Sequence, residues 1–198
     1  MSITNNGELK TFLVAGSMRS DLSAVMQDFV NRAHAIIAAR AIVYAPVTIS
    51  AKAIALPTDF GSIHSLWILR APALQLTQVS ADQLATLQAN SADVPQWFNV
   101  AASQVGPSPD QSYEGRLLYR VSPTFLAAAG DTNAILKAYP FAYVYGAQAE
   151  VARFNFDDDA EDRREAAFQS QIEFINRAEL AKALAGAALQ MTPSSTVV

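Results

Sequence analysis

The sequence predicts an α+β fold in which helices at both ends of the chain flank a β-rich middle. Three observations lead to this prediction: an apolar stripe at helical spacing follows Ser20, two capped helices can be traced between residues 131 and 191, and the middle is rich in β-branched and aromatic residues separated by turns. We expect a helical bundle of N- and C-terminal helices with the β-rich segment inserted between them. The predicted division is a helical core of residues 1–41 and 126–189, a β-rich insertion of residues 42–125, and an extended tail of residues 190–198.

Two helices are predicted near the N-terminus. Residues 8–18 favour a short helix, and Ser20 is placed to cap a longer one from Asp21 to about Ala41. The apolar side chains of the longer helix recur at helical spacing, which predicts a face for the core. They are Leu22, Val25, Met26, Phe29, Val30, Ala33, Ile36 and Ile37.

The middle of the chain favours extended segments and one short helix. Pro46 argues against a central place in a sheet for the first strand. Ser80 and Gln83 form a capping box for a short helix that ends near Ala89. The strands are predicted at residues 42–49, 62–69, 74–79, 97–101 and 116–121, and the loop GPSPDQSYEG separates the last two.

Two further helices are predicted near the C-terminus. Pro140 suits a first helical position, and that helix continues to Phe154. Aspartates 157–159 can cap the next helix, which runs to about Ala185 with Gly186 after its end. Its apolar stripe is Phe168, Ile172 and Ile175, widened by Phe174 and Ala178. From the stripes we expect Phe29, Ile36, Phe168 and Ile175 to be buried together.

Composition and charge exclude several classes of protein. The chain of 198 residues has no cysteine, which excludes disulfides, thiolate chemistry and cysteine-based metal sites. No run of about 18 apolar residues and no signal-peptide pattern is present, so we expect neither a membrane span nor Sec export. Acidic and basic residues balance in residues 1–99, so the formal net charge of −4 lies in residues 100–198. Tight, sequence-independent DNA binding would need a basic stripe, and none is visible.

Side chains typical of catalytic or metal sites are few and scattered. His34 lies among apolar residues and His64 in a predicted strand, and neither has further ligands at metal-binding spacing. Ser62 and Ser65 flank His64 without the nucleophile-elbow sequence of a hydrolase. The acidic run 157–162 lacks the pattern of a calcium-binding loop, and we interpret it as a capped, solvated helix start, with cation binding as the alternative. We therefore predict no catalytic residue, no metal site and no cofactor.

Five aromatic residues in and beside the helix that follows Pro140 could form either a stacking platform for bases or part of the core. They are Tyr139, Phe141, Tyr143, Tyr145 and Phe154. Because no basic residues are interleaved with them, base stacking has little support, and helical spacing favours burial in the core or against another subunit. We predict that they belong to the core.

The C-terminal helices carry a pattern more specific than their periodicity. It consists of Asn133 and Leu136, the helix YPFAYVYGAQAEVA, an acidic joint, and a helix that continues through NRAE to a glycine. This pattern resembles the C-terminal part of the head–tail adaptor (connector) family of tailed bacteriophages. Gly146 departs from it, since it replaces a usual alanine-like position. The matching residues are Asn133, Leu136, Tyr139, Pro140, Tyr143, Tyr145, Ala147, Glu150, residues 157–159, Phe168, residues 176–179 and Gly186, with looser matches at residues 8–10, 19–22, 56–60 and 117–119.

The resemblance implies a structural protein of the virion and not an enzyme. It implies a homododecameric ring below the portal protein, on which the next tail component (tail tube, nozzle or stopper) docks. Packaged DNA would pass through the ring without specific binding, and no membrane would be involved. The protein would be made in the host cytoplasm and would end at the head–tail interface. From the residues alone, a phage-encoded hydrolase or other small enzyme and a cytosolic helical binding module stay open as alternatives.

The tail is predicted to contact the portal. Pro193 discourages further helix, and the segment is too short to bury its own apolar residues. The candidate contact residues are Leu189, Met191, Val197 and Val198. We expect the tail to be disordered in the free protein and ordered in the assembled connector, with an ordinary frayed terminus as the alternative.

Overall fold

The structure, a computed structural model, describes residues 3–17, 19–70, 72–87 and 92–185. Within these ranges the helices are α1 (Asn6–Ser17), α2 (Met26–Arg40), α3 (Ala81–Leu87), α4 (Ala134–Ala138), α5 (Pro140–Phe154) and α6 (Asp158–Leu184). The strands are β1 (Ile42–Ile49), β2 (Phe60–Ile68), β3 (Leu74–Gln75), β4 (Thr77–Gln78), β5 (Trp97–Asn99), β6 (Gln104–Gly106) and β7 (Tyr113–Val121). N- and C-terminal helices flank the β-rich middle, so the predicted α+β fold is confirmed.

The chain forms two compact units, each built from separate stretches. The first contains residues 1–43, 59–62 and 120–179. The second contains residues 44–58, 63–119 and the described residues from 180 onward. The limits predicted for the helical core, the insertion and the tail stay a prediction.

The core of the first unit lies where α1 and α2 pack against α5. Phe29, Phe168 and Ile175 are buried, as their helical stripes predict. The predictions for Ile36 and Phe174 are wrong, because Ile36 is half-buried and Phe174 is 56% exposed. Both residues lie at the edge of a stripe, where the helix surface turns away from its neighbour.

Gly146 permits the close approach of α5 to its neighbours. A Cβ atom at this position would lie 2.8 Å from the Cβ of Ala33 on α2 and 3.1 Å from two ring atoms of Phe168 on α6. The first distance is shorter than real Cβ contacts, so a side chain here would push the helices apart. The departure from the adaptor pattern at Gly146 is therefore a packing requirement of this chain.

Ser20 does not cap α2, which corrects the prediction. Residues Ser20–Ala24 form a 3₁₀ turn, and α2 begins at Met26, after Val25. No side chain caps either helix start. Leu22 is buried within the turn, so apolar packing and not a hydrogen bond to Ser20 fixes the entry into the helix.

The strands form a four-stranded sheet in the order β1-β7-β2-β3 and a three-stranded sheet in the order β4-β5-β6. β1, which contains Pro46, lies at an edge, as predicted. The single strand predicted at residues 74–79 is wrong, because the chain changes sheet at Leu76. The N–H of Leu76 bonds to Leu66 at 2.9 Å, whereas that of Thr77 bonds to Gln96 at 2.8 Å.

β6 was not predicted. It has three residues, two of which, Gln104 and Gly106, have little preference for strands, and its place depends on antiparallel pairing with β5. The capping box before α3 is confirmed: Ser80 and Gln83 exchange side-chain-to-backbone bonds of 3.1 and 3.2 Å.

The starts of the C-terminal helices follow their sequence signals. Pro140 occupies the first turn of α5, and Asp157 Oδ1 accepts the N–H of Ala160 at 3.0 Å, which caps α6. Glu173 and Arg177, one turn apart on α6, form an exposed ion pair at 3.0 Å. Gly186, predicted after the end of α6, lies outside the described residues.

Candidate interaction surfaces

Several residues of the C-terminal pattern form a buried hydrogen-bond network in the first unit. Tyr143 is fully buried, and its hydroxyl lies 3.0 Å from Nδ1 of His34 and accepts a bond of 2.9 Å from Asn133. Asn133 also caps α4 through the N–H of Leu136, at 2.8 Å. Burial raises the pKa of Tyr143 to about 12 and lowers the pKa of His34. Tyr143 therefore stays protonated beside a neutral imidazole, and the network joins α2, α4 and α5.

Glu150 is the centre of a second polar cluster. It is 5% exposed and accepts bonds from Arg32 at 3.1 Å and from Arg153 at 2.6 Å. Arg153 also bonds to Glu161 at 2.8 Å, and this bond raises the pKa of its guanidinium. A buried carboxylate requires such partners, so the cluster fixes α2, α5 and α6 in one arrangement.

The end of α6 is held in the same way. The Tyr139 hydroxyl donates to Glu179, and Asn176 Oδ1 accepts the backbone N–H of Ile42 at 2.8 Å. The residues that carry the resemblance therefore fix helix geometry.

Three of the candidate catalytic and metal-binding side chains, Ser65, Asp157 and Glu161, have structural partners. His64 is exposed on β2, and Ser65 Oγ accepts the indole N–H of Trp67 at 3.1 Å. In the acidic run, Asp157 caps α6 and Glu161 pairs with Arg153. Over the described residues, no group of three or more His, Asp or Glu side chains is arranged to hold a metal ion. None of the helices described is long and apolar enough to span a membrane.

The prediction that five aromatic residues belong to the core is correct for Tyr143 and wrong for others. Phe141 and Phe154 are 50% and 52% exposed, and Tyr139 and Tyr145 are half-buried. Phe141 and Tyr145 lie one turn apart and pack on each other, with ring centroids 6.1 Å apart. Helical spacing placed these rings on a helix but did not show which side of it faces the core.

Phe156 has the most unusual environment of the exposed residues. It follows α5 with φ of 56°, and its ring is 92% exposed. Its N–H bonds to Arg153 at 3.2 Å and the N–H of Asp157 bonds to Ala152 at 3.1 Å, which is the Schellman arrangement that usually places glycine here. Phenylalanine in this conformation costs roughly 1–2 kcal/mol and buries nothing in return. This strain makes Phe156 a candidate for contact with another chain.

Phe156 belongs to a larger set of solvent-facing rings in the first unit, which we call the exposed phenylalanines. Each is at least half exposed: Phe125, Phe141, Phe154, Phe156 and Phe174. Exposed aromatic rings are enriched in surfaces that contact another protein, so these five are candidate contact residues. The sequence carries one visible signal of this site, an aromatic residue where the end of a helix usually has glycine.

The sequence matches the SU10 adaptor protein family over residues 4–193. The chain belongs to this family. Because the match covers nearly the whole chain, the predicted resemblance to phage head–tail adaptors is confirmed. The protein is a structural phage adaptor, a component of the virion that associates with other head or tail components. No individual curated protein shows significant similarity to it.

The four residues predicted to contact the portal cannot be placed in this adaptor. Leu189, Met191, Val197 and Val198 lie outside the described residues. Among the described residues of the adaptor, the exposed phenylalanines are the strongest candidates for contact with other virion proteins.

Proposed function

We propose that this adaptor forms a homododecameric ring between the portal and the tail. The portal binds one face of the ring, the next tail component docks on the other, and packaged DNA passes through the centre. The family match over residues 4–193 carries this proposal, because it assigns the chain to adaptors. The polar clusters around Tyr143 and Glu150 support it, because a ring needs subunits of fixed shape.

The exposed phenylalanines supply subunit contacts in this proposal. A closed ring uses head-to-tail interfaces, in which one surface of each subunit meets a different surface of the next. Aromatic rings are enriched in the cores of such interfaces. Phe156 is the preferred anchor, because burial of its ring by a neighbour offsets the strain of its backbone conformation.

The charge of the adaptor supports passage of DNA without attachment. Residues 100–198 contain eight basic and twelve acidic residues, so this half of the chain carries a formal charge of −4. Lasting attachment to DNA would require lysine and arginine side chains on phosphates. An acidic half-chain around a channel repels phosphates and lets DNA slide.

The tail supplies portal contacts in this proposal. Leu189, Met191, Val197 and Val198 bind apolar grooves on the portal, and the ring multiplies each weak contact through avidity. Deletion of residues 190–198 removes three of these four residues, Met191, Val197 and Val198, and leaves Leu189.

Mass measurements of the adaptor mixed with the portal of the same phage test the proposal. We expect the wild type to form a complex that contains a full ring, and Phe156→Gly, which removes the ring and relieves the backbone, to fold but fail to close it. Leu87→Ala is the matched control, since it removes an exposed apolar side chain that is not one of the exposed phenylalanines. Deletion of residues 190–198 is expected to abolish docking on the portal. A wild-type adaptor that stays monomeric beside the portal contradicts the proposal, and a normal ring from Phe156→Gly removes Phe156 from the interface.

A further inference from the structure

The second unit contains an apolar groove that borders the last turn of α6. Its volume is about 410 Å³, which is within the usual range of ligand pockets, roughly 300–1,000 Å³. Its apolar lining consists of Trp67, Leu69, Ala73, Leu118, Leu180, Ala183 and Leu184. Leu180 and Leu184 are 45% and 37% exposed, so the groove is open to an occupant.

Arg116 adds a polar feature to this groove. It is 9% exposed, and its two terminal nitrogens donate to the carbonyls of Ala183 and Ala185 at the end of α6. Its Nε–H, which is also buried, has no acceptor among the described residues. This nitrogen has almost no accessible surface, so an occupant of the groove does not reach it. The groove therefore recognises an occupant through its apolar lining, and a peptide segment with apolar side chains suits it.

The groove continues into a second, more polar cleft. His64, Ser65 and Gln75 line both, and the cleft, of about 340 Å³, extends to Thr77 and Gln78. The two spaces together fit a segment whose apolar part is followed by a polar part.

We propose that the occupant is the segment of this chain that follows α6, with Leu189 and Met191 in the groove. Leu184 lines the groove and the carbonyl of Ala185 accepts a bond from Arg116, so the following segment begins beside the groove. A glycine such as Gly186 can adopt the backbone conformation that reverses the chain after a helix, and four extended residues from Ala185 span at most roughly 13–14 Å. The segment reads AALQM and then TPSST, an apolar part before a polar part.

The short connection makes weak binding sufficient. A segment tethered this closely has an effective concentration of about 1 mM. With an intrinsic Kd of about 0.1 mM, the groove is filled in roughly ten molecules for every molecule in which it is open. Apolar residues are thus covered in the free adaptor, and the portal must displace Leu189 and Met191 from the groove in order to bind them. The inference goes beyond the proposed function, because it concerns the free adaptor.

Fluorescence of Trp67 tests the inference on the full-length adaptor without portal. The chain has two tryptophans, so Trp97→Phe leaves Trp67 as the one reporter in the groove. In this background we compare two double variants. The first pair combines Leu189→Asp and Met191→Asp; the second pair combines Ser194→Asp and Ser195→Asp, which adds the same charge without removing apolar groups. The first pair is expected to raise the open fraction roughly tenfold, with emission at longer wavelength and stronger acrylamide quenching, and the second pair is expected to change neither. Ala73→Glu, which fills the groove from its wall, is expected to reproduce the effect of the first pair.

Two outcomes overturn the inference. In the first, the first pair and the background protein have identical emission and quenching, and the Met191 methyl resonance of the unmodified adaptor lies at its position in an unfolded chain. This result would show that the segment does not lie beside Trp67. Loss of the short-wavelength emission on dilution of the background protein would show that a second copy fills the groove. Neither outcome affects portal docking, which is measured separately.

Discussion

Substitution of Gly146 by alanine tests the packing on which the helical bundle depends. In an unconstrained helix interior, this change would stabilise the protein by about 0.8–1.0 kcal/mol. Here the new Cβ would lie 2.8 Å from the Cβ of Ala33, which cannot rotate away, and 3.1 Å from the ring of Phe168. Overpacking of a core costs about 1–3 kcal/mol, and two simultaneous clashes favour the upper half of that range. We therefore expect a net loss of about 1–2 kcal/mol.

The assay is urea unfolding followed by circular dichroism, with Gly16→Ala as the matched control. A Cβ on Gly16, in α1, would meet the side chain of Gln148 at 3.7 Å, an ordinary contact, so this variant should be unchanged or more stable by up to about 1 kcal/mol. For a protein of this size the melting temperature of Gly146→Ala should fall by roughly 2–8 °C. A Gly146→Ala protein as stable as the wild type would refute the close approach of α2, α5 and α6.

Three further predictions concern the same unit. Ile175→Ala should lower the free energy of unfolding by about 2–5 kcal/mol, because Ile175 is fully buried. Phe174→Ala should lower it by less than about 1 kcal/mol, because the neighbouring Phe174 is half exposed. Equal losses in urea unfolding would contradict the assigned faces of α6. Asp157→Ala should lower the free energy of unfolding by about 1 kcal/mol through loss of the helix cap. Asp158→Ala should change it by no more than about 0.5 kcal/mol. The reverse order would show that Asp157 is not the cap. Because burial lowers the pKa of His34, the unfolded chain binds more protons than the folded chain near pH 6. Stability should therefore fall as the pH drops through about 6.5, and it should fall less steeply in His34→Gln. Parallel pH profiles of the urea midpoint for the two proteins would exclude His34 as the cause.

Local signals in the sequence predicted the helical part of the fold well. The stripe Phe168, Ile172 and Ile175, the proline at the start of α5 and the cap at Asp157 all occupy the expected places. These features depend on residues within a few positions of each other, so a pattern of neighbours is enough to find them. The end of α2 was equally clear, but its start was not, because the burial of Leu22 depends on distant parts of the chain.

Features that depend on long-range contacts could not be predicted. β6 exists because β5 lies beside it, and the change of sheet at Leu76 depends on partners in two different sheets. The candidate interaction surfaces also depend on contacts between distant parts of the chain. Helical spacing could not show that Phe141 and Phe154 face solvent, and no local pattern brings Arg116 beside the end of α6.

The central claim is that this adaptor assembles as a ring on the portal, and electron microscopy of the purified adaptor mixed with portal tests it most directly. The account predicts particles in which a closed ring of twelve adaptor subunits caps the portal around an open channel. Bare portal particles beside a monomeric adaptor, at concentrations where both proteins are folded, would contradict it.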